Sequence, residues 1–197
     1  MPDFVFYAIM PGMKKMIVLM GGQGVGKGTF ARMLRERHEY KYIETGKMLR
    51  DAAETNPTVG DIMARGELLP FEMLTKIVSD ALDCDSDVLL DGFPRTMDQA
   101  TWLVDNYSDK FNIHVLYLDV PEEIMIARIQ KRIREGGGRA DDADATAIRK
   151  RLDIFWKTTL PAIEWMKTVP NIKFSDVDVT DVLDDNFRNI LAALGEK

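Results

Sequence analysis

The chain has a single cysteine, Cys84, in 197 residues. No disulfide can form within it, and no thiolate cluster is available for a structural zinc. Cys84 sits among aspartates in DALDCDSD, surroundings that oppose a nucleophilic thiolate, so it reads as structural. An excess of positive charge is missing too: 26 Lys and Arg against 32 Asp and Glu leave a net charge of −6. That balance argues against a nucleic-acid partner, which calls for a basic surface. No apolar run is long enough to span a bilayer, so no membrane partner is expected. The opening MPDFVFYAIMPGMKK has an apolar stretch with no Lys or Arg ahead of it, unlike a secretion signal. With the lone cysteine, this points to a reducing, cytoplasmic setting. Residues 1–15 are read as an N-terminal extension, with Met13 or Met16 as alternative starts. Repeats and low-complexity tracts are absent as well. With 46% apolar residues, segment 16–197 fits one domain around one core, expected to act as a monomer.

What is present is alternation. Short apolar or β-branched runs at 16–20, 41–45, 87–91, 113–120 and 171–177 read as buried strands. Stretches with apolar spacing of three and four, at 29–37, 71–82, 96–107, 122–135, 145–167 and 180–194, read as helices. Pro121 followed by Glu122 and Glu123 marks one helix start, and Pro161 predicts a bend in the long helix. The pattern implies an α/β fold: a five-stranded parallel sheet with helices on both faces, binding ligands beyond the carboxyl ends of its strands. Residues 46–71 hold short helical pieces without a strand, the makings of a small lobe. The Gly-rich, charged REGGGRADDADA at 134–145 reads as a flap.

GGQGVGKGT, residues 21–29, follows one strand and leads into one helix, the setting in which a glycine-rich loop cradles phosphates. Glycines let successive N–H groups turn inward, the helix offers its positive end, and Lys27 adds a charge for the outer phosphates. Gly28 stands where the commonest form of this loop has a hydroxyl, which arrives one residue later as Thr29. A second strand ends in DGFPR: Asp91 suits a water-mediated Mg²⁺ contact, and Gly92 and Pro94 fix a turn that would hold Arg95 for a two-pronged phosphate contact. Arg128, Lys131 and Arg132 share one helical face, and Arg139 and Arg151 follow around the flap. Arginine gathered around one hinge-like loop in an acidic chain invites a functional explanation.

Together GGQGVGKGT, YIETGKMLR, ARGELLP, LLDGFPRTMDQA, ARIQKR, GGGRADD and KRLDIFWKTTLPAIEW resemble the adenylate kinase branch of the nucleoside monophosphate kinases over residues 16–194. The resemblance implies a three-layer P-loop kinase fold with a small monophosphate-binding lobe near 45–74 and a short lid near 134–145. It also implies reversible phosphoryl transfer, ATP + AMP ⇌ 2 ADP, with Mg²⁺ carried by ATP. By matching position, Gly22, Gly24, Val25, Gly26, Lys27, Gly28 and Thr29 would hold the ATP phosphates, with Arg128 near the adenine. Thr45, Gly46, Arg50, Gly92, Arg95 and Gln99 would hold AMP, with Leu68 and Leu69 walling its base. Lys27, Arg95, Arg132, Arg139 and Arg151 would offset charge during transfer. Three residues depart from the family pattern: Gln23 replaces a proline, Phe30 replaces a glutamine and is expected to pack inward, and Lys47 replaces an aspartate. Lys47 would either add a phosphate contact or displace a metal-bound water network. The rival readings are a UMP/CMP kinase of the same fold, disfavoured by Thr45 and Gln99, a weakly active nucleotide-sensing protein, and a simple NTP hydrolase.

Overall fold

A computed structural model describes residues 12–65, 67–136 and 145–196. Five strands form one parallel sheet: β1 (Lys14–Met20), β2 (Lys41–Glu44), β3 (Val88–Asp91), β4 (Phe111–Asp119) and β5 (Lys173–Asp178), in the order β2-β3-β1-β4-β5. Residues 16–20 of β1 and all of β3 are buried without alternation. A strand buried at consecutive positions is covered on both faces, as helices returning between parallel strands require. Leu19, Leu89, Leu90, Ile113, Leu116 and Leu118 are among the largest side chains fully inside.

The helices between strands are α1 (Lys27–Arg37), α2 (Thr45–Ala53), α3 (Pro57–Ala64), α4 (Phe71–Leu82), α5 (Met97–Tyr107) and α6 (Glu122–Arg134). Further along come α7 (Ala145–Ile154), α8 (Leu160–Met166) and α9 (Leu183–Leu194). Helix α6 begins directly after Pro121 with Glu122 and Glu123 in its first turn, as expected. The short pieces foreseen between 46 and 71 are α2 and α3, joined at Asn56, whose side chain accepts from the Thr58 N–H.

Two expectations need correction. The helix foreseen over 145–167 is not a single bent α-helix, because a π-helical turn, Phe155–Thr159, separates α7 from α8. Pro161, in the first turn of α8, has no N–H for the carbonyl one α-turn back, and the wider turn falls just before it. The last helix starts at Leu183 rather than 180. Ahead of it the Thr180 N–H is held by Asp178 Oδ1 at 2.8 Å, and Asn186 Nδ2 donates to the carbonyls of Val179 and Asp181 at 3.0 and 2.6 Å. These bonds fix residues 178–182 as a loop instead of a first helical turn.

The strand order changes direction at β1: the chain leaves it for β2 and β3 on one side, then for β4 and β5 on the other. The crevice beyond the carboxyl end of β1, flanked by β3 and β4, is therefore the expected binding place.

Candidate active site

The glycine-rich loop leaves β1 at this crevice and turns into α1 at Gly26, whose φ of 104° suits glycine. Gly24, at φ 87°, passes so close to α6 that a Cβ there would lie 2.6 Å from the Met125 carbonyl oxygen. The loop is thus pressed onto the helix that carries Arg128 and Arg132. Lys27 folds back across it, donating to the Gly21 and Gly22 carbonyls at 2.7 and 2.8 Å. Phe30 is buried, as expected for its inward packing.

In the sheet Asp91 lies in register with Leu19 on one side and Glu44 on the other. Tyr42 Oη donates to Asp91 Oδ2 at 3.0 Å. Burial raises the Asp91 carboxyl above its ordinary range, against the lowering influence of Lys27, of the Tyr42 hydrogen bond and of Arg95. The Gly92 backbone, at φ 85°, runs against α2, where a Cβ would lie 2.6 Å from Thr45 Oγ1. The Thr45 hydroxyl itself donates to the Asp91 carbonyl at 3.1 Å. Phe93, fully buried edge-on against Trp102, pins the turn that follows. Arg95 is braced three ways: its Nε donates to the Gly92 carbonyl at 2.7 Å, its N–H to Gln99 Oε1 at 2.7 Å, and its carbonyl accepts from Thr159 Oγ1 at 3.0 Å.

Two clefts open here. Thr45, Leu49, Arg50, Leu68, Leu69 and Phe155 help line the first, a largely apolar pocket with Arg50 at its polar end. The second runs over the loop from Gly24 to Thr29, past Asp91, to Arg128 and Arg132. Lys27, Gly46, Gly92, Arg95 and Arg151 line both. The clefts therefore meet end to end, with three cations at the junction.

The adenylate kinase family model matches residues 19–170. An adenylate kinase of Prochlorococcus marinus strain MIT 9301 is 41% identical over 173 residues, 84% of this chain and 92% of its own length. That of Parvibaculum lavamentivorans is 37% identical over 171 residues, 81% and 83% of the two chains. The adenylate kinase isoenzyme 1 of Cyprinus carpio is 33% identical over 164 residues, 78% and 81%. The chain belongs to the adenylate kinase family. It is accordingly a nucleotide-binding phosphotransferase of that family, in the five-stranded parallel fold its sequence implied.

Against the adenylate kinase pattern, most foreseen site residues line one cleft or both. Gly22 lines the first cleft and not the second. Gln99 lines neither: it is buried, and its side-chain oxygen is spent on the Arg95 backbone. Arg128 donates to the carbonyls of Val25 and Val179 at 3.2 and 2.7 Å, tying the loop to the segment after β5. Lys47 pairs with Asp51 one turn along α2 at 2.5 Å, and both side chains are exposed. Arg139 lies outside the described residues. Sequence reasoning passed over Glu44, Tyr42 and Thr159, as well as Asp181 and Asn186 in the wall of the second cleft. Glu44 and Tyr42 lie inside the quoted YIETGKMLR and Thr159 inside KRLDIFWKTTLPAIEW, but each takes its role from a neighbour distant in the chain.

Proposed function

We propose that the first cleft takes AMP, the second takes ATP, and the terminal phosphoryl of ATP passes directly to the AMP phosphate at their junction, giving two ADP. The observation that carries this reading is that Lys27 and Arg95 line both clefts. Two anionic nucleotides brought end to end repel one another, and the transferred group spreads further charge over its oxygens. Lys27, Arg95, Arg132 and Arg151 offset that charge with little reorganisation, because Arg95 is already braced. Residues 21–29 hold the ATP phosphates, with the Arg128 helix beside the loop. Thr45, Gly46, Arg50 and Gly92 hold AMP, with Leu68 and Leu69 against its base, and Gln99 acts by fixing Arg95. No general base is required: the accepting phosphate has a second pKa of about 6 and is mostly ionised at neutral pH.

Mg²⁺ fits the residues present in one manner. Among the described residues no group of three or more acidic, His or Cys side chains is placed so that it could hold a metal ion. Asp91 is a buried carboxylate at the cleft floor, in the same wall as Thr29. It suits a cation that arrives on ATP and is touched through water; when bound, the ion neutralises charge between the outer phosphates. Residues 45–74 would move as the monophosphate lobe, 134–145 as a short lid excluding water, and 1–15 as an extension. The enzyme would work as a cytoplasmic monomer without a nucleic-acid or membrane partner; among the described residues no helix is long and apolar enough to cross a membrane.

The test is ATP supplied with AMP, UMP, CMP, GMP or water, following diphosphate and phosphate. AMP-dependent ADP formation is expected; pyrimidine turnover, binding without turnover, or phosphate release without an acceptor would each replace this reading. Arg95→Ala should lower kcat/KM for AMP by about 10² or more while ATP binding changes only a few-fold. Loss of ATP binding alone would reverse the cleft assignment.

A further inference from the structure

Arg50, a cation of the first cleft, already holds an anion. Its NH2 lies 2.9 Å from Glu44 Oε1, with side-chain exposures of 39% and 22%. The pair lies over Gly46, where a Cβ would stand 3.2 Å from Arg50 NH1 and 3.9 Å from Glu44 Oε1. Arg50 lines the first cleft and Glu44 the second, so the ion pair reaches across their junction.

The position of Glu44 makes this choice of partner informative. It is the residue ahead of α2, yet its side chain does not cap the helix, although acidic groups are favoured there. It is also the register neighbour of Asp91 and raises that carboxyl further. Two carboxylates side by side at a phosphate-binding crevice repel each other and any incoming phosphate. Glu44 is held there by Arg50, while Lys47, the other cation in this turn, is engaged by Asp51.

We propose that Glu44 is a substrate-displaced counter-ion: its carboxylate occupies the Arg50 guanidinium until the AMP phosphate takes its place, and it thereby sets AMP affinity. This rests on the assignment of the first cleft to AMP. A phosphate dianion with three acceptor oxygens is the stronger partner for a guanidinium, so exchange proceeds, and the freed Glu44 can turn to the first turn of α2. Apparent affinity falls by the fraction of time Arg50 is engaged.

The experiment is AMP binding by calorimetry, without ATP, on the full chain and on Glu44→Gln, Arg50→Ala and the double variant. Glu44→Gln should bind AMP about threefold to fivefold more tightly, the range open to a partly exposed pair. Arg50→Ala should weaken binding about tenfold or more, and in its background Glu44→Gln should change affinity less than about twofold. Unchanged or weaker AMP binding in Glu44→Gln, with Arg50→Ala still weak, overturns the counter-ion and leaves the cleft assignment standing. Equal tightening in both backgrounds means repulsion at a distance and overturns displacement. An Arg50→Ala protein that binds AMP normally removes Arg50 from the AMP site, and the proposal with it. Thermal melts check folding, and Glu44→Ser gives the same readings should Glu44→Gln fail to fold.

Discussion

At the scale of single residues, the buried Asp91 has the most exacting surroundings. It touches Tyr42, lies beside Glu44 in the sheet and feels Lys27 and Arg95. If it meets the cation of Mg-ATP through water, its charge matters only when that cation is present. Asp91→Asn should therefore bind ATP in chelator no more weakly than the parent, while the affinity gained on adding Mg²⁺ falls about tenfold. Calorimetry with and without Mg²⁺ reads this, and an undiminished gain would separate Asp91 from the metal. The placing of Lys27, Asp91 and Arg95 at one crevice was legible in the sequence because Asp91 ends a strand and the other two follow strand ends closely, and strand ends could be placed. Glu44 and Tyr42 were not, because each acquires its role from a lateral neighbour in a sheet whose order the sequence does not state. The two prospects for Lys47, a phosphate contact or a disturbed water network, both assumed that its side chain faces the phosphates. Its side chain pairs with Asp51 along α2, with both groups exposed.

At the scale of elements, the π-helical turn before Pro161 has a consequence for the site. Phe155 and Thr159 both line the first cleft, and the Thr159 hydroxyl reaches the Arg95 carbonyl. Thr159→Val keeps the volume and removes the hydroxyl that donates to the part-buried Arg95 carbonyl, at a cost of about 1–2 kcal/mol. That predicts a Tm lower by about 2–8 °C and a KM for AMP raised more than that for ATP. A thermal melt with paired Michaelis curves checks both parts, and an AMP KM that stays put would confine Thr159 to a structural role. All five strands were readable as short apolar or β-branched runs between turn residues, most plainly the interior β1, β3 and β4, which are covered on both faces. The π turn was not, because a proline announces a break in the α pattern without saying how the chain absorbs it. The start of α9 was misjudged for a similar reason: Asn186 fixes the loop from inside the helix, eight residues beyond Asp178.

On the scale of the whole molecule, stability and catalysis draw on the same sheet from opposite sides. His114 of β4 is largely buried beside β5, with Nε2 2.9 Å from Ser175 Oγ. Burial, with Lys173 nearby, lowers its pKa from 6.5 to about 4. The unfolded chain therefore binds this proton first as pH falls, so stability is whole above about pH 6.5 and is lost progressively down to about pH 4. The loss amounts to at most about 3 kcal/mol from this group. Urea melts from pH 7 to 4.5 should show the parent losing stability faster than His114→Gln; parallel slopes would remove His114 from the account. At the opposite side of the sheet, Gly92 and Thr45 meet with no space for a methyl group between them. Even alanine at 92 would wedge α2 away from β3 and loosen the joint between them. Such a variant would keep every charge of the site and still lose the alignment between its two halves.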